Sequence, residues 1–174
     1  HRSLRRQRQM CIRDSSLCVV DSTNMLNENK GMSETLLKEP IAKIIEESKG
    51  RVIFTSFASN LGRLKIIAEA GENSGRSIAV FGRAMNNMLS KAMETGILTD
   101  FPTLIDPRKA YMVPRENLLV IATGSQGEIR AASAQLSRGK YMGLEIEDGD
   151  TFVFSSKTIP GNEISVNKVI NLSL

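Results

Sequence analysis

Short runs of consecutive apolar residues recur along the chain and alternate with longer segments in which apolar residues return every three or four positions. Continuous apolar runs are typical of strands that a parallel sheet buries on both faces, and the longer segments have the period of amphipathic helices. The predicted strands are residues 16–20, 52–55, 77–81, 118–121 and 151–155, with a short strand near residue 104 and a partly exposed strand and acidic turn in residues 143–150. This alternation predicts an α/β fold with a mostly parallel sheet flanked by helices.

The helices are predicted from their caps and from the spacing of their apolar residues. Ser33 is the predicted N-cap of a helix over residues 33–48, and Pro40 must kink or split that helix because its ring removes a backbone donor. The next helix begins after Ser59 or Asn60, either of which could cap it. Further helices are predicted after Gly82, over residues 131–136 and over residues 164–172.

Small polar turns follow four of the predicted strands. Their sequences are DSTN, SFASN, TGSQGE and SSKTIPGNE. Because the carboxyl ends of parallel strands meet at one edge of a sheet, we expect these turns to lie together, at the edge where open α/β sheets bind ligands. The sequence has neither the GxxxxGK[ST] pattern nor the GxGxxG pattern, which argues against the common nucleotide-binding domains.

Asp21, Ser59, Asn60 and Arg83 are the candidate functional residues of these turns, and each has a plainer alternative. Asp21 could belong to a site at the strand end, or its carboxylate could close an Asx-turn. Ser59 and Asn60 could bind an anion at the helix start, or they could only cap the helix. Arg83 could hold a phosphate or pair with a carboxylate such as that of Asp21.

Composition narrows the class of protein. With 174 residues, 41% of them hydrophobic, the chain can bury a core, and no apolar run approaches the roughly 18 residues of a membrane span. The net charge of +4 resides in the first 15 residues, whose five arginines face a single aspartate, so the remaining sequence is neutral. This basic head could be an RNA-binding arm, but we interpret it as a disordered or non-native extension outside the fold.

The cysteine and histidine contents exclude several kinds of site. Cys11 and Cys18 are too few and too close for a disulfide framework, which indicates a reduced, cytoplasmic setting. His1 is the single histidine, and it lies in the basic head. Zinc hydrolases need several imidazole or thiolate ligands, and serine and cysteine hydrolases need a histidine base. We therefore expect no metal ligands and no nucleophile–histidine site in this chain.

The turns also resemble those of a known family. The series VVDSTN, FTSFASNLGRL, AVFGRAM, IATGSQGE and FSSKTIPGNE, in this order, resembles ribonuclease J, a member of the β-CASP branch of the metallo-β-lactamase-fold nucleases. The resemblance runs from about residue 17 to residue 174. It implies a Rossmann-like β-CASP domain over residues 31–174, incomplete at its C-terminus, preceded by the end of a metallo-β-lactamase-fold domain in residues 16–30.

The resemblance also implies an activity and a set of site residues. The family cuts RNA internally and degrades it from the 5′ end in RNA processing and decay, usually with two zinc ions, and its members commonly form homo-oligomers. Asp21 matches the acidic residue beside the metal centre, and Ser59, Asn60 and Leu61 match the turn that contacts RNA near its 5′ monophosphate. Gly62 departs from the family pattern, in which a histidine commonly precedes the arginine. The resemblance therefore implies that the partner is RNA with a 5′ monophosphate. It implies no membrane partner.

The metal-binding motifs of the family are expected outside this sequence. Its HxHxDH motif belongs upstream of residue 17, and its SGHA segment and last ligand histidine belong downstream of residue 174. The chain is therefore interpreted as a fragment that contributes RNA and 5′-phosphate binding and that is inactive alone. The alternatives are a non-enzymatic RNA- or nucleotide-binding α/β module and an assembly piece.

Overall fold

The computed structural model describes residues 33–173 and contains one five-stranded sheet. Its strands are β1 (Val52–Thr55), β2 (Ser77–Phe81), β3 (Leu104–Ile105), β4 (Leu118–Ala122) and β5 (Thr151–Phe154). Their order is β3-β2-β4-β1-β5, and every neighbouring pair is parallel. The predicted parallel α/β sheet is thus confirmed, and the strand predicted at residues 16–20 lies outside the described residues.

Five α-helices accompany the strands in the described part of the chain: α1 (Lys38–Glu47), α2 (Leu61–Asn73), α3 (Arg83–Glu94), α4 (Ala132–Leu136) and α5 (Glu163–Ser173). The predicted helix over residues 33–48 is split, because a short 3-10 helix, Glu34–Leu37, precedes α1. Pro40 lies in the first turn of α1, where a missing backbone donor is tolerated. Ser33 is the N-cap residue of that 3-10 helix, but its side chain makes no capping hydrogen bond.

The sheet has a hydrophobic cluster on each face. Val52 and Phe54 of β1 face the cluster formed with α1, α2 and α3, whereas Ile53 faces the cluster formed with α4. All four residues of β1 and all five of β4 are buried, as the continuous apolar runs predict. β5, at the edge of the sheet, is only partly buried.

The helices that follow two neighbouring strands pack on opposite faces of the sheet. The helix that follows β1, α2, packs on the first face, and the helix that follows β4, α4, packs on the second. Because β1 and β4 are hydrogen-bonded neighbours, their carboxyl ends form a topological switch point. Open α/β sheets bind their ligands in the crevice beyond such a point.

Buried arginines hold the opposite, amino-terminal edge of the sheet together. Arg76 donates to the carbonyl oxygens of Ser48 (2.6 Å), Gly50 (2.8 Å) and Ile45 (3.2 Å), and its burial lowers the pKa of its guanidinium. These carbonyls lie at the end of α1 and just before β1. Arg76 therefore satisfies backbone acceptors that the core would otherwise leave unpaired.

A second arginine cluster surrounds Asp150, whose side chain is fully buried. The carboxylate accepts from Arg51 Nη1 at 3.1 Å and from Arg115 Nη2 at 2.9 Å, and from the backbone amides of Arg51 (2.9 Å) and Glu147 (3.1 Å). Of the strand and acidic turn predicted in residues 143–150, the strand is wrong and the turn is confirmed, since Asp150 N donates to Glu147 O at 3.0 Å.

Candidate functional site

Three of the four predicted turns come together at the carboxyl edge of the sheet. Backbone hydrogen bonds extend the strand pairing into them: Ser56 N donates to Ala122 O (3.1 Å), Thr123 N to Phe81 O (3.0 Å) and Ser155 N to Thr55 O (3.2 Å). The turn that contains Asp21 lies outside the described residues. The structure therefore brings Ser59 and Asn60 to this edge and leaves the position of Asp21 open.

Gln126 joins two of these turns across the end of β1. Its Oε1 accepts from the amide of Ile159 (2.8 Å) and from Asn162 Nδ2 (3.2 Å), and its Nε2 donates to Lys157 O (3.1 Å). Gln126 is buried, and both sides of its amide are used in these contacts. Gln126 and Asn162, which lie in two of the turns that resemble the family, thus stabilise the turn that leads into α5.

Gly124 and Gly127 are required by backbone geometry and packing. Gly124 has φ +112°, and a Cβ there would lie 1.9 Å from Ser133 Oγ. Gly127 has φ +72°, and a Cβ there would lie 2.3 Å from the carbonyl carbon of Ser165. Since L residues rarely adopt these angles and no space is available, the TGSQGE turn serves close packing of α4 and α5.

In the turn before α2, the Ser59 hydroxyl forms no hydrogen bond with residues 33–173. Asn60 N donates to Phe57 O at 3.1 Å, which closes the turn, and Ser59 is exposed at its tip. Asn60 Oδ1 accepts from Arg63 N at 3.0 Å, so Asn60 is the N-cap of α2. Leu61 packs its side chain against the first hydrophobic cluster. The Ser59 hydroxyl is therefore the group of the three that is best placed to contact a ligand.

A carboxylate already lies beside the start of α2. Glu34 Oε2 accepts from Arg63 Nε at 2.6 Å, and Glu34 Oε1 accepts from Arg63 Nη2 and from Asn60 Nδ2, both at 3.1 Å. The hydrogen bond from Arg63 is the main cause that lowers the pKa of the Glu34 carboxyl. On its other side, Arg63 Nη1 donates to the carbonyl and to the hydroxyl of Ser155, the latter at 3.0 Å. Arg63 thus joins the turn before α2, the end of β5 and the 3-10 helix Glu34–Leu37.

Sequence reasoning missed both Arg63 and Glu34. One signal could have pointed to Arg63: it occupies the first turn of α2, where the helix dipole disfavours a cation unless an anion lies nearby. Nothing in the sequence indicates that Glu34, 29 positions away, is that anion.

Two exposed cations flank this edge. Arg83 begins α3 after β2, and Lys157 follows β5. Within residues 33–173 neither side chain forms an ion pair. β2 and β5 are three strand spacings apart, about 14 Å. The two cations therefore lie on either side of the switch point and add positive potential there.

Two buried hydroxyls of the same edge, those of Ser125 and Ser156, have no hydrogen-bond partner among residues 33–173. A buried polar group without a partner costs about 1–3 kcal/mol. Each such group in a native structure therefore needs an explanation. Both of these serines belong to turns that border the switch point.

The residues described do not fit a pair of zinc ions. Residues 33–173 include no histidine, and they include no group of three or more His, Cys, Asp or Glu side chains arranged to hold a metal ion. In this same part of the chain, no helix is both long enough and apolar enough to cross a membrane.

Comparison with known proteins agrees with these features. The family model described as "Ribonuclease J, beta-CASP domain" matches residues 49–173. The chain is 41% identical to Ribonuclease J of Sinorhizobium meliloti over 153 residues, which are 88% of the chain and 27% of that relative. It is 44% identical to Ribonuclease J 1 of Streptococcus pyogenes over 157 residues, 89% of the chain and 28% of that relative. It is 34% identical to Ribonuclease J of Thermus thermophilus over 155 residues, which are 89% of the chain and 27% of that relative. The chain thus spans little more than a quarter of these relatives.

Proposed function

The chain belongs to the ribonuclease J family, whose β-CASP domain it carries, and from this membership we propose that it holds RNA near its 5′ monophosphate for a metal-dependent ribonuclease. The observation that carries the proposal is the turn before α2: it lies in the matched region, at the switch point, with the Ser59 hydroxyl exposed. The parent activity is endonucleolytic cleavage and 5′-to-3′ degradation of RNA in cytoplasmic RNA processing and decay.

Phosphate chemistry supports this place for RNA. The 13-residue helix α2 directs its amino end toward the Ser59 turn, and helix amino ends attract anions. Gly62, in the first turn, is exposed, and a Cβ there would meet only Asn60 Oδ1 at 3.8 Å. A phosphate can therefore approach the backbone closely at this point. Arg83 and Lys157 supply the charge that attracts the neighbouring phosphates.

The hydrolytic step belongs to the intact family protein in this proposal. Two zinc ions would supply metal-activated water there. Because residues 33–173 do not fit that metal pair, no step of the reaction is assigned to them. Asp21 is proposed as a supporting acidic residue beside the metal centre, and the intact protein is proposed to be a homo-oligomer. The 174-residue chain alone is proposed to bind RNA without cleaving it.

Binding is tested with the 174-residue chain and a single-stranded RNA that carries a 5′ monophosphate, by fluorescence anisotropy. We expect affinity that falls as salt is raised, because phosphate contacts release counterions. Ser59→Ala should weaken binding about threefold to tenfold, the typical net contribution of one hydrogen bond at a solvent-exposed position. Ser165→Ala, at an exposed position on α5, is the matched control and should leave affinity unchanged.

Two results would contradict the proposal. If the Ser59→Ala and Ser165→Ala chains bind RNA with equal affinity, RNA does not contact the turn before α2. Chelator-sensitive hydrolysis of the RNA by the 174-residue chain would show that it contains its own metal site.

A further inference from the structure

We propose that the Glu34 carboxylate occupies the phosphate position at the start of α2 and that an RNA phosphate must displace it. This inference rests on the proposed function, because it concerns the same turn. It adds that the Glu34 carboxylate competes with RNA for this position, so RNA binds there only after the ion pair between Glu34 and Arg63 opens.

The geometry of the contact is that of a bound anion. Arg63 directs two donors, Nε and Nη2, at the two oxygens of the same carboxylate, at 2.6 and 3.1 Å. Asn60 Nδ2 adds a third hydrogen bond at 3.1 Å. A guanidinium fork recognises carboxylate and phosphate oxygens through the same paired geometry. Glu34 therefore supplies the anion that the positive end of α2 and the Arg63 fork both favour.

Arg63 is anchored independently of Glu34. Its Nη1 donates to the carbonyl oxygen of Ser155 and to the Ser155 hydroxyl, and its side chain is only 14% exposed. Loss of the Glu34 contact therefore leaves the guanidinium at the end of β5, with Nε and Nη2 still directed at the vacated position. The site that a phosphate would enter is preserved when the carboxylate leaves.

Glu34 itself is weakly held. It lies in the 3-10 helix Glu34–Leu37, in which no residue is buried, and its side chain is 41% exposed. A partly exposed carboxylate regains hydration when it leaves an ion pair, so this pair opens at a lower cost than one in which both charges are buried. Elements that bury few residues are also those that move first in a native protein. Exchange of Glu34 for a phosphate is therefore accessible without disturbing the sheet.

Glu34→Gln distinguishes competition from a purely structural ion pair. If Glu34 competes, the Glu34→Gln chain should bind 5′-monophosphorylated RNA about tenfold more tightly, since one opposing charge at contact distance is removed. The control is Glu39→Gln, which removes the same charge from an exposed position in the first turn of α1. Its affinity should stay within about twofold of the unchanged chain.

A second arm identifies the phosphate that displaces Glu34. The same RNA with a 5′ hydroxyl is titrated into the unchanged and Glu34→Gln chains. A gain seen only with the 5′ monophosphate assigns the position to the terminal phosphate. An equal gain with both RNAs assigns it to an internal phosphodiester.

Each remaining outcome overturns a stated part of the account. An affinity for Glu34→Gln that is equal to or lower than that of the unchanged chain, while Ser59→Ala still weakens binding, rejects competition and leaves the proposed function standing. A gain that Glu39→Gln reproduces also rejects competition, because the effect is then general charge. Absence of RNA binding by every one of these chains rejects both proposals.

Discussion

The two edges of the sheet each contain an arginine–carboxylate cluster, and the clusters differ mainly in burial. At the amino edge, the Asp150 side chain is fully buried between Arg51 and Arg115. At the carboxyl edge, the Glu34 side chain is 41% exposed beside Arg63. Both carboxylates accept at least three hydrogen bonds, so hydrogen-bond number does not separate them.

Burial decides what each cluster can do. A buried carboxylate cannot lose its partners without leaving an unpaired charge in the core, so the Asp150 cluster fixes the ends of β1, β4 and β5 permanently. A partly exposed carboxylate can return to water, so the Glu34 cluster can exchange its anion. One edge therefore stabilises the fold, and the other is available for binding.

The largest expected effect comes from Asp150→Asn. Removing the charge leaves Arg51, which is 5% exposed, without its buried partner. We expect a loss of about 3–5 kcal/mol in the free energy of unfolding, measured by urea denaturation. Asp148→Asn, an exposed neighbour in the same turn, should change it by less than about 0.5 kcal/mol. A loss below about 1 kcal/mol for Asp150→Asn would remove the contrast between the edges.

A smaller effect is expected for Asn60→Ala at the carboxyl edge. The substitution removes the N-cap of α2 and one hydrogen bond to Glu34, and should cost about 1 kcal/mol of unfolding free energy. Asn87→Ala, at an exposed position within α3, should be neutral or slightly stabilising because alanine favours helices. If Asn60→Ala destabilises as strongly as Asp150→Asn, the carboxyl edge is as much a structural element as the amino edge.

The smallest effect concerns the pH dependence of the Glu34 contact. Arg63 lowers the pKa of the Glu34 carboxyl, so the contact stabilises the fold above the ordinary carboxyl pKa and loses that contribution as pH falls through the lowered value. Because the carboxylate is partly exposed, the contribution is under about 1 kcal/mol after solvent screening. Unfolding free energies of the unchanged and Glu34→Gln chains should differ slightly at pH 7 and converge as the pH falls through the lowered pKa of Glu34. A difference that grows as the pH falls would contradict this sign.

The local features of the fold could be predicted from the sequence. The bounds of β1 and β2 follow from their apolar runs. The sequence also predicts a cap at Ser59 or Asn60, and the structure selects Asn60. The strand order could not be predicted, because the insertion of β4 between β1 and β2 depends on which faces the crossover helices cover. The apolar pattern of the sequence does not indicate which face of the sheet each crossover helix covers.

The site depends even more on contacts between distant residues. The sequence predicts the acidic turn that ends at Asp150 but also a strand before it, which the structure lacks. The pairing of the Asp150 carboxylate with Arg51, 99 positions away, has no local sequence signal. The Glu34–Arg63 contact joins residues 29 positions apart and has no local signature beyond a cation at a helix start. The roles of Ser59, Asn60 and Leu61 toward RNA stay predictions, and Asp21 lies outside the described residues.

The central claim is that RNA meets the carboxyl edge of the sheet and leaves the amino edge alone. Titration of the ¹⁵N-labelled 174-residue chain with 5′-monophosphorylated RNA, followed by NMR, tests it directly. We expect the largest shifts at the amides of Ser59 and Gly62 and at the Arg63 Nε–H, and little change at Arg51 and Asp150. Shifts concentrated at Arg51 and Asp150, or no shift at the start of α2, would contradict the claim.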